Sequence, residues 1–307
     1  MRAVINNPSG DSPVCFGDVD EPVPAPHEAL VAIRAFSLNR GELALLGIRP
    51  EGWRPGQDIA GVVIESAADG SGPQPGARVV GMVEQAGWSE RAAVSTSRLT
   101  VLSDELTMEQ AAALPMAGLT ALRTLRIGGS VLGRKILITG ANGGVGRFQV
   151  QLAALSGAVV SAVTTQAAQV AEELTALGAA EVVADVESAT GPFDLVLESV
   201  GGAALTGALA TLVPGGTVVV LGSSSGEKAP LDVYNFIGHE GARLQNYISY
   251  AATDPDDVDL AILVSLAASG RLVATPGHVS GWGELGKIVE RMRQRELPGG
   301  KVVLVVD

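Results

Sequence analysis

The pattern of apolar and polar positions changes near residue 106. Before that point, short apolar runs are broken by Gly and Pro, which is typical of a compact β-rich domain. Strands are predicted at residues 3–6, 29–35, 61–66, 77–83 and 91–95. Thr107 can then cap a helix, which Pro115 interrupts or restarts.

From Lys135 onward, strand-like runs alternate with helical stretches. Strands are predicted at 135–140, 158–163, 181–185, 193–199, 217–222 and 242–249. Helices are predicted at 144–156, around 172–177, in a small-residue stretch that ends at the PGG of 214–216, and near 231–237. Strands joined by crossover helices imply a mainly parallel sheet covered on both faces, and six strands complete a Rossmann unit.

The C-terminal part returns to a different pattern. Leu285, Ile288, Val289 and Met292 form the apolar stripe of an amphipathic helix, and residues 301–306 predict a final strand. No internal repeat interrupts this arrangement. The fold class predicted is therefore α/β, with a β-rich domain and a doubly wound parallel sheet.

The composition limits the classes of partner that the chain is expected to bind. The chain has 307 residues, 47% of them hydrophobic, and a formal net charge of −12. Such a negative charge argues against nucleic acid or an anionic membrane as a partner. The apolar runs are too short to span a bilayer and the first residues lack the apolar core of a signal peptide, so we expect cytoplasmic localisation. The single cysteine, Cys15, allows no internal disulfide, and we expect it to be buried.

The stretch ITGANGGVGRFQ, residues 138–149, places four glycines between a predicted strand and a predicted helix. Gly140 permits a tight turn, and Gly146 lets the helix pack closely on the strand. Gly143 and Gly144 leave room for a diphosphate at the first N–H groups of the helix, where the helix dipole favours an anion. In its strand–turn–helix context this turn predicts dinucleotide binding.

The nucleotide preference depends on the end of the second Rossmann strand. Many NAD-binding proteins place a carboxylate there, but this chain has Thr164-Thr165-Gln166, which favours NADPH over NADH. No Lys or Arg lies between Arg147 and Lys228, so hydroxyls and amides would have to hold the 2′-phosphate. Arg147 could reach the phosphates or lie on the domain surface.

The glycine pattern also fits short-chain dehydrogenases, but their Tyr-x-x-x-Lys pair is absent, since none of Tyr234, Tyr247 and Tyr250 is followed four positions later by Lys. Seven blocks in order instead resemble the medium-chain dehydrogenase/reductase superfamily, in its zinc-free quinone-oxidoreductase branch. The blocks are SLNRGEL (37–43), RPGQDIAGVV (54–63), AAALPMAGLTAL (111–122), ILITGANGGVG (136–146), LESVGG (197–202), PGGTVVVLGSSSG (214–226) and GGKVVLVVD (299–307).

This resemblance implies a GroES-like β-rich substrate domain of residues 1–115 and 250–307, and a Rossmann domain of residues 116–249. It also implies that Asn39, Thr120 and Tyr247 contact the nicotinamide or the substrate. Alternatively, Asn39 caps a helix at 40–46 and Thr120 bonds its own backbone. The predicted cofactor contacts are Asn39, Thr120, Gly140, Asn142, Gly143, Gly144, Val145, Gly146, Thr164, Thr165, Ser199, Val200, Gly222, Ser223 and Ser224.

The zinc enzymes of this superfamily carry a Cys where this chain has residues 37–40, and Gly-His-Glu where it has Gly56-Gln57-Asp58. His27, His239 and His278 show no ligand spacing, so we expect no zinc, and we expect Asp58 to fix a loop by hydrogen bonding. No catalytic residue is assigned, because the Tyr that several relatives place after the Asn is replaced by Glu42-Leu43-Ala44.

The predicted activity is hydride transfer from NADPH to an electron-poor small molecule, a quinone or an α,β-unsaturated carbonyl, without zinc. Two alternatives remain open, an enoyl-thioester reductase and a non-catalytic NADPH-binding protein. Trp53, Trp88, Phe36 and Tyr247 are available to stack on a quinone. A homodimer formed along the strand at 242–249 is a further expectation from the resemblance.

Overall fold

A computed structural model describes all residues from Met1 to Asp307. Contacts divide the chain into two compact units. Unit 1 comprises Met1–Leu119 and Asp254–Asp307, and unit 2 comprises Thr120–Thr253. Unit 1 is therefore built from both ends of the chain.

Unit 1 is dominated by antiparallel strands. Its strands are β1 (Arg2–Asn6), β2 (Val14–Asp18), β3 (Glu28–Leu38), β4 (Asp58–Glu65), β5 (Arg78–Met82), β6 (Arg91–Ser95), β7 (Leu99–Val101), β14 (His278–Gly281) and β15 (Val302–Val305). A seven-stranded sheet has the order β14-β15-β3-β4-β5-β7, with β6 paired to β3, and β1 pairs with β2. The helices are α1 (Arg40–Leu46), α2 (Met108–Ala112), the first part of α3 (Pro115–Ile127), α7 (Asp256–Ala268) and α8 (Leu285–Arg293).

Strand β3 organises this unit. Its first half alternates buried and partly exposed residues, and from Ala35 to Leu38 every residue is buried, as expected where both faces of a sheet are covered. Strand β15 runs antiparallel to this buried end, with Val302 opposite Leu38. This pairing brings the C-terminal strand beside the segment that enters α1.

Unit 2 contains the predicted six-stranded parallel sheet, in the order β10-β9-β8-β11-β12-β13. Its strands are β8 (Lys135–Thr139), β9 (Val159–Val163), β10 (Glu181–Val183), β11 (Phe193–Glu198), β12 (Leu212–Val220) and β13 (Arg243–Asn246). The helices are the remainder of α3, then α4 (Gly144–Leu155), α5 (Ala167–Ala176) and α6 (Gly202–Ala210). The predicted fold class is confirmed.

Several local predictions differ from the structure. The helical stretch predicted near 231–237 is a short 3-10 helix, Val233–Phe236. The small-residue helix α6 ends at Ala210 rather than at PGG, and β12 already begins at Leu212. Pro214, Gly215 and Gly216 therefore lie inside the strand. The register against β11 shifts between Phe193 and Leu195, and Pro and Gly are tolerated within a strand at such a bulge. Cys15 is exposed rather than buried, since it points to the face of β2 opposite the buried Val14. None of the helices combines the length and apolar composition needed to cross a lipid bilayer.

Candidate active site

The glycine-rich turn joins β8 to α4, and two of its glycines have no room for a side chain. Gly140 has a φ of 62°, a conformation that L side chains rarely adopt. A Cβ on Gly146 would lie 2.5 Å from the carbonyl oxygen of Gly140 and 2.7 Å from Cα of Ala141. The helix consequently packs directly against the backbone of the turn.

The N-terminus of α4 fits an anionic group. Gly143 is its N-cap residue, and no side chain caps the helix. A Cβ on Gly143 would meet only the carbonyl oxygen of Gly140, at 3.2 Å. Because the first-turn N–H groups have no side-chain acceptor and the helix dipole is positive at this end, the turn suits a diphosphate.

Loops from two neighbouring strands meet the turn at the carboxyl edge of the sheet. Glu198, at the end of β11, is fully buried and accepts hydrogen bonds from the Thr139 hydroxyl and from the N–H groups of Val200 and Gly201, at 2.7–3.0 Å. Ser199 N in turn donates to Thr139 Oγ1, at 2.9 Å. This network fixes the loop that contains Ser199 and Val200.

The loop after β12 is bonded to the same segment. Ser224 N donates to the carbonyl oxygen of Ser199, at 3.0 Å. A Cβ on Gly222 would lie 3.0 Å from that same oxygen. The predicted contacts Ser199, Val200, Gly222, Ser223 and Ser224 are therefore brought together in unit 2, beside Gly140, whose missing Cβ would lie 2.6 Å from Ser199 Oγ.

At the end of β9, a polar chain links the second strand to α4. Asn142 Nδ2 donates to Gln166 Oε1, at 2.6 Å, and Asn142 Oδ1 accepts from Arg147 Nη2, at 2.7 Å. Arg147 also forms an ion pair with Glu173 of α5, at 2.5 Å. The structure thus places the Arg147 guanidinium two hydrogen bonds from the Thr164-Thr165-Gln166 segment.

A second polar cluster is buried in unit 1, around Asp58 at the start of β4. The carboxylate of Asp58 accepts four hydrogen bonds, at 2.6–3.0 Å. Its donors are Ser37 Oγ, Asn39 Nδ2, the backbone N–H of Met116 and Lys301 Nζ. The prediction that Asp58 fixes local structure by hydrogen bonding agrees with this geometry.

Asn39 occupies the N-cap of α1, as the capping alternative had it, but its amide bonds elsewhere. Its Nδ2 donates to Asp58 Oδ2, at 3.0 Å, and its Oδ1 accepts from Lys301 Nζ, at 2.5 Å. The backbone N–H of Asn39 donates to Glu42 Oε2, at 2.7 Å. Glu42 thus supplies the reciprocal bond of a capping box.

Glu42 is fully buried, and its Oε1 has no hydrogen-bond partner. Burial, followed by the negative charge of Asp58, raises the pKa of Glu42 to about 8, although the Lys301 ammonium acts in the opposite direction. Glu42 is therefore mostly protonated at neutral pH. The salt bridge of this cluster joins Lys301 Nζ to Asp58 Oδ2, at 3.0 Å.

The other predicted contacts and stacking residues differ in burial and in hydrogen bonding. Thr120, in α3, is buried, and its carbonyl oxygen accepts from the Thr124 hydroxyl, at 2.7 Å. Tyr247 is half-buried just after β13, where its N–H donates to the carbonyl oxygen of Val220. Phe36 and Trp88 are fully buried and stack on each other with ring centroids 5.8 Å apart, so these two are core residues rather than stacking partners for a substrate.

No three or more His, Cys, Asp and Glu side chains are grouped so as to hold a metal ion. His239 Nδ1 lies 2.7 Å from the carbonyl oxygen of Leu212. His27 is exposed, and His278 lies on β14.

Comparison with known proteins places the chain in a family. The sequence profile of the Zinc-binding dehydrogenase family matches residues 144–264. The chain is 31% identical over 233 residues to the acrylyl-CoA reductase AcuI of Ruegeria pomeroyi, a match that covers 68% of the chain and 70% of AcuI. The chain belongs to the medium-chain dehydrogenase/reductase superfamily.

Within this superfamily the chain is quinone-oxidoreductase-like. It is 36% identical over 201 residues to the chloroplast envelope quinone oxidoreductase homolog of Arabidopsis thaliana, and the match covers 60% of each chain. Its fold matches that of the Escherichia coli quinone oxidoreductase complexed with NADPH, with a TM-score of 0.87, 20% identity, and coverage of 99% of this chain and all of the other. The chain spans 12% to 60% of the length of the first curated relatives that it matches.

Sequence reasoning missed three members of the unit 1 cluster. Glu42 carried a usable signal, because it lies three residues after an N-cap Asn, the spacing of a capping box. Lys301 is a single charge at the start of an apolar strand, and Ser37 is a small polar residue in the SLNRGEL block. Their meeting at Asp58 depends on strand pairing and carried no local signal.

Proposed function

We propose that this chain is an NADPH-dependent oxidoreductase that transfers hydride to a quinone or an α,β-unsaturated carbonyl without zinc. The observation that carries the proposal is the turn of unit 2, where backbone N–H groups and close-packed glycines form a cradle for a diphosphate at the carboxyl edge of a parallel sheet. NADPH, when bound, supplies the hydride.

The preference for NADPH is supported by the polar chain at the end of β9. No carboxylate follows this strand, and a 2′-phosphate would meet Thr164, Thr165 and Gln166 there. Asn142 bonds both Arg147 and Gln166, so the Arg147 guanidinium of α4 lies near this segment. A guanidinium suits a phosphate because it can donate two parallel hydrogen bonds.

Zinc independence is supported by the surroundings of Asp58. Ser37, Asn39, Met116 and Lys301 supply donors to its carboxylate, and Lys301 already provides a positive charge. We propose that Asn39, which this cluster holds, contacts the nicotinamide or the acceptor. Thr120 and Tyr247, which belong to unit 2, are further proposed contacts. Such contacts align donor and acceptor, which is the main requirement when the acceptor is already electron-poor.

An enoyl-thioester reductase is the second candidate. It is favoured by the 70% coverage of a relative named acrylyl-CoA reductase, since acrylyl-CoA is an α,β-unsaturated thioester. Both activities transfer hydride from NADPH to an electron-poor, conjugated acceptor. They differ in the group that the substrate presents beyond the reacting bond.

Turnover distinguishes these activities. NADPH consumption with 9,10-phenanthrenequinone or a simple enone supports the first proposal, and selective activity on crotonyl thioesters supports the second. Tight NADPH binding without turnover on a broad panel of acceptors would instead indicate a non-catalytic NADPH-binding protein. Parallel titrations with NADPH and NADH test the nucleotide preference, and equal or reversed affinities would overturn it.

We also propose that two copies pair along β13, the outer strand of the unit 2 sheet. Arg243–Asn246 are all exposed, and apolar Leu244 and Ile248 lie on or next to this edge with 41% and 54% exposure. An unpaired edge with apolar side chains favours strand pairing. A monomeric mass in light scattering would contradict the dimer. The Arabidopsis relative is named a chloroplast envelope quinone oxidoreductase homolog, so cytoplasmic localisation stays a prediction.

A further inference from the structure

A buried ammonium group lies at the centre of the unit 1 cluster. Lys301 is 6% exposed, and its Nζ lies 3.2 Å from the carbonyl oxygen of Leu38, 2.5 Å from Asn39 Oδ1 and 3.0 Å from Asp58 Oδ2. An ammonium group has three N–H donors. All three are used inside unit 1, so Lys301 has no hydrogen bond left to offer a ligand.

We propose that Lys301 is a positioning residue, whose ammonium group fixes the side-chain amide of Asn39 in one orientation and so sets how Asn39 meets the nicotinamide or the acceptor. This inference rests on the proposed function, which makes Asn39 a contact of the reacting groups. Lys301 itself touches neither cofactor nor substrate in this account.

The two ends of the Asn39 amide face opposite charges. The oxygen accepts from the Lys301 ammonium, and the nitrogen donates to the Asp58 carboxylate. Hydrogen bonds to charged groups are roughly twice as strong as neutral ones. A flipped amide would turn its N–H groups towards the ammonium and its oxygen towards the carboxylate, so both bonds would become repulsive. One orientation is therefore strongly selected.

Strand pairing holds both charged groups in place. Lys301 precedes β15, and its carbonyl oxygen accepts from Gly277 N and His278 N, at 2.9 and 3.3 Å. Asp58 lies opposite Ser37 in the β3–β4 pair. The positions of the ammonium and the carboxylate are therefore set by the sheet. The Asn39 amide takes the orientation that these two fixed charges favour.

A purely structural role for Lys301 would affect the amount of folded protein, whereas a positioning role acts through Asn39. A double-mutant cycle separates the two, because a residue that works only through Asn39 has nothing left to position once Asn39 is truncated. The variants are Lys301→Met, Asn39→Ala and the double variant. Lys287→Met is the matched control, since Lys287 is an exposed lysine of the same unit.

The cycle is measured on kcat/KM for 9,10-phenanthrenequinone with NADPH, and in parallel on the NADPH dissociation constant, with thermal unfolding as a check on folding. We expect each single variant to lose about tenfold in kcat/KM, and the double variant to match Asn39→Ala within about twofold. Independent losses that multiply to about a hundredfold, or a folded Lys301→Met with unchanged kinetics and NADPH affinity, would overturn the proposal.

Lys301→Met leaves Asp58 as a buried, uncompensated charge, so this variant can fail to fold. In that case the cycle uses Lys301→Met/Asp58→Asn, which is neutral, as its starting point. Adding Asn39→Ala should then change kcat/KM by less than about twofold, because the amide orientation is already lost. A further tenfold loss would contradict the proposal.

The two proposals fail in different ways. A wild-type protein that turns over no acceptor contradicts the proposed reductase, and the cycle is then decided on the NADPH dissociation constant. Multiplicative effects of Lys301→Met and Asn39→Ala on that constant contradict the role of Lys301, whatever the outcome for turnover.

Discussion

The two units contain contrasting arrangements of polar groups. Unit 2 offers bare main chain, in a turn where glycines remove side chains and the helix N-terminus has no side-chain cap. Unit 1 offers a buried cluster in which charged side chains satisfy one another, with Asp58 and Lys301 at its centre. The first arrangement leaves main-chain N–H groups open to a ligand. The second is closed, because its charged groups bond one another.

The largest expected effect is on the stability of unit 1. Lys301→Met removes one partner of a buried ion pair, and we expect it to lower the free energy of unfolding by about 3–5 kcal/mol, measured by denaturant unfolding. Lys301→Met/Asp58→Asn should recover most of this loss because no charge remains buried alone. A loss as small as that of the control Lys287→Met would show that the cluster does not support the unit.

Next in size is the pH dependence caused by Glu42. Its pKa of about 8 in the folded protein lies above its value in the unfolded chain. Between those two values the folded state holds one proton more than the unfolded state, so stability falls as the pH rises. We expect Glu42→Gln to remove a slope of about 1.4 kcal/mol per pH unit between about pH 5 and 8.

The Glu42 prediction is measured by denaturant unfolding at several pH values. Glu172→Gln is the control, because Glu172 is exposed on α5. Parallel stability curves for the wild type and Glu42→Gln across this range would contradict the assignment of a bound proton to Glu42.

For the turn of unit 2, a substitution should affect binding far more than stability. In Gly143→Ala the new Cβ would have a single neighbour at 3.2 Å, so we expect the free energy of unfolding to change by less than about 1 kcal/mol. The methyl group would stand where the diphosphate approaches the helix, and we expect the NADPH dissociation constant to rise about tenfold or more. Gly283→Ala, which meets nothing within 4 Å, is the control. Unchanged NADPH affinity would place the nucleotide elsewhere.

The smallest expected effect concerns nucleotide choice. We expect Arg147→Ala to weaken NADPH binding about three- to tenfold and to leave NADH binding nearly unchanged, because only NADPH carries the 2′-phosphate. Glu173→Gln should strengthen NADPH binding, because it removes the carboxylate that pairs with Arg147. Both are measured by titration with the two nucleotides, with the exposed Arg134→Ala as control. Equal losses for both nucleotides in Arg147→Ala would assign Arg147 to the diphosphate or to the fold.

The same contrast explains what could be predicted from the sequence. The turn was predicted residue by residue because its geometry depends on neighbours in the chain: Gly140 and Gly146 meet within seven positions. The parallel sheet followed from the regular alternation of strands and helices. Strand boundaries follow less directly from the sequence where Pro and Gly lie inside a strand, as in β12.

The unit 1 cluster could not be predicted in this way. Lys301 lies 262 positions from Asn39 and 243 from Asp58, and only the pairing of β15 with β3 brings them together. Arg147 illustrates the same limit at shorter range. It precedes the Thr164-Thr165-Gln166 segment by 17 to 19 positions, and the parallel neighbours β8 and β9 place the two side by side.

We propose, above all, that this chain passes hydride from NADPH to a conjugated acceptor without a metal. The most direct measurement follows NADPH oxidation with 9,10-phenanthrenequinone, before and after exhaustive treatment of the protein with a chelator. We expect turnover that is unchanged by metal removal, with one quinone reduced for each NADPH consumed. Turnover that disappears on chelation and returns with zinc, or no NADPH oxidation with any conjugated acceptor, would contradict it.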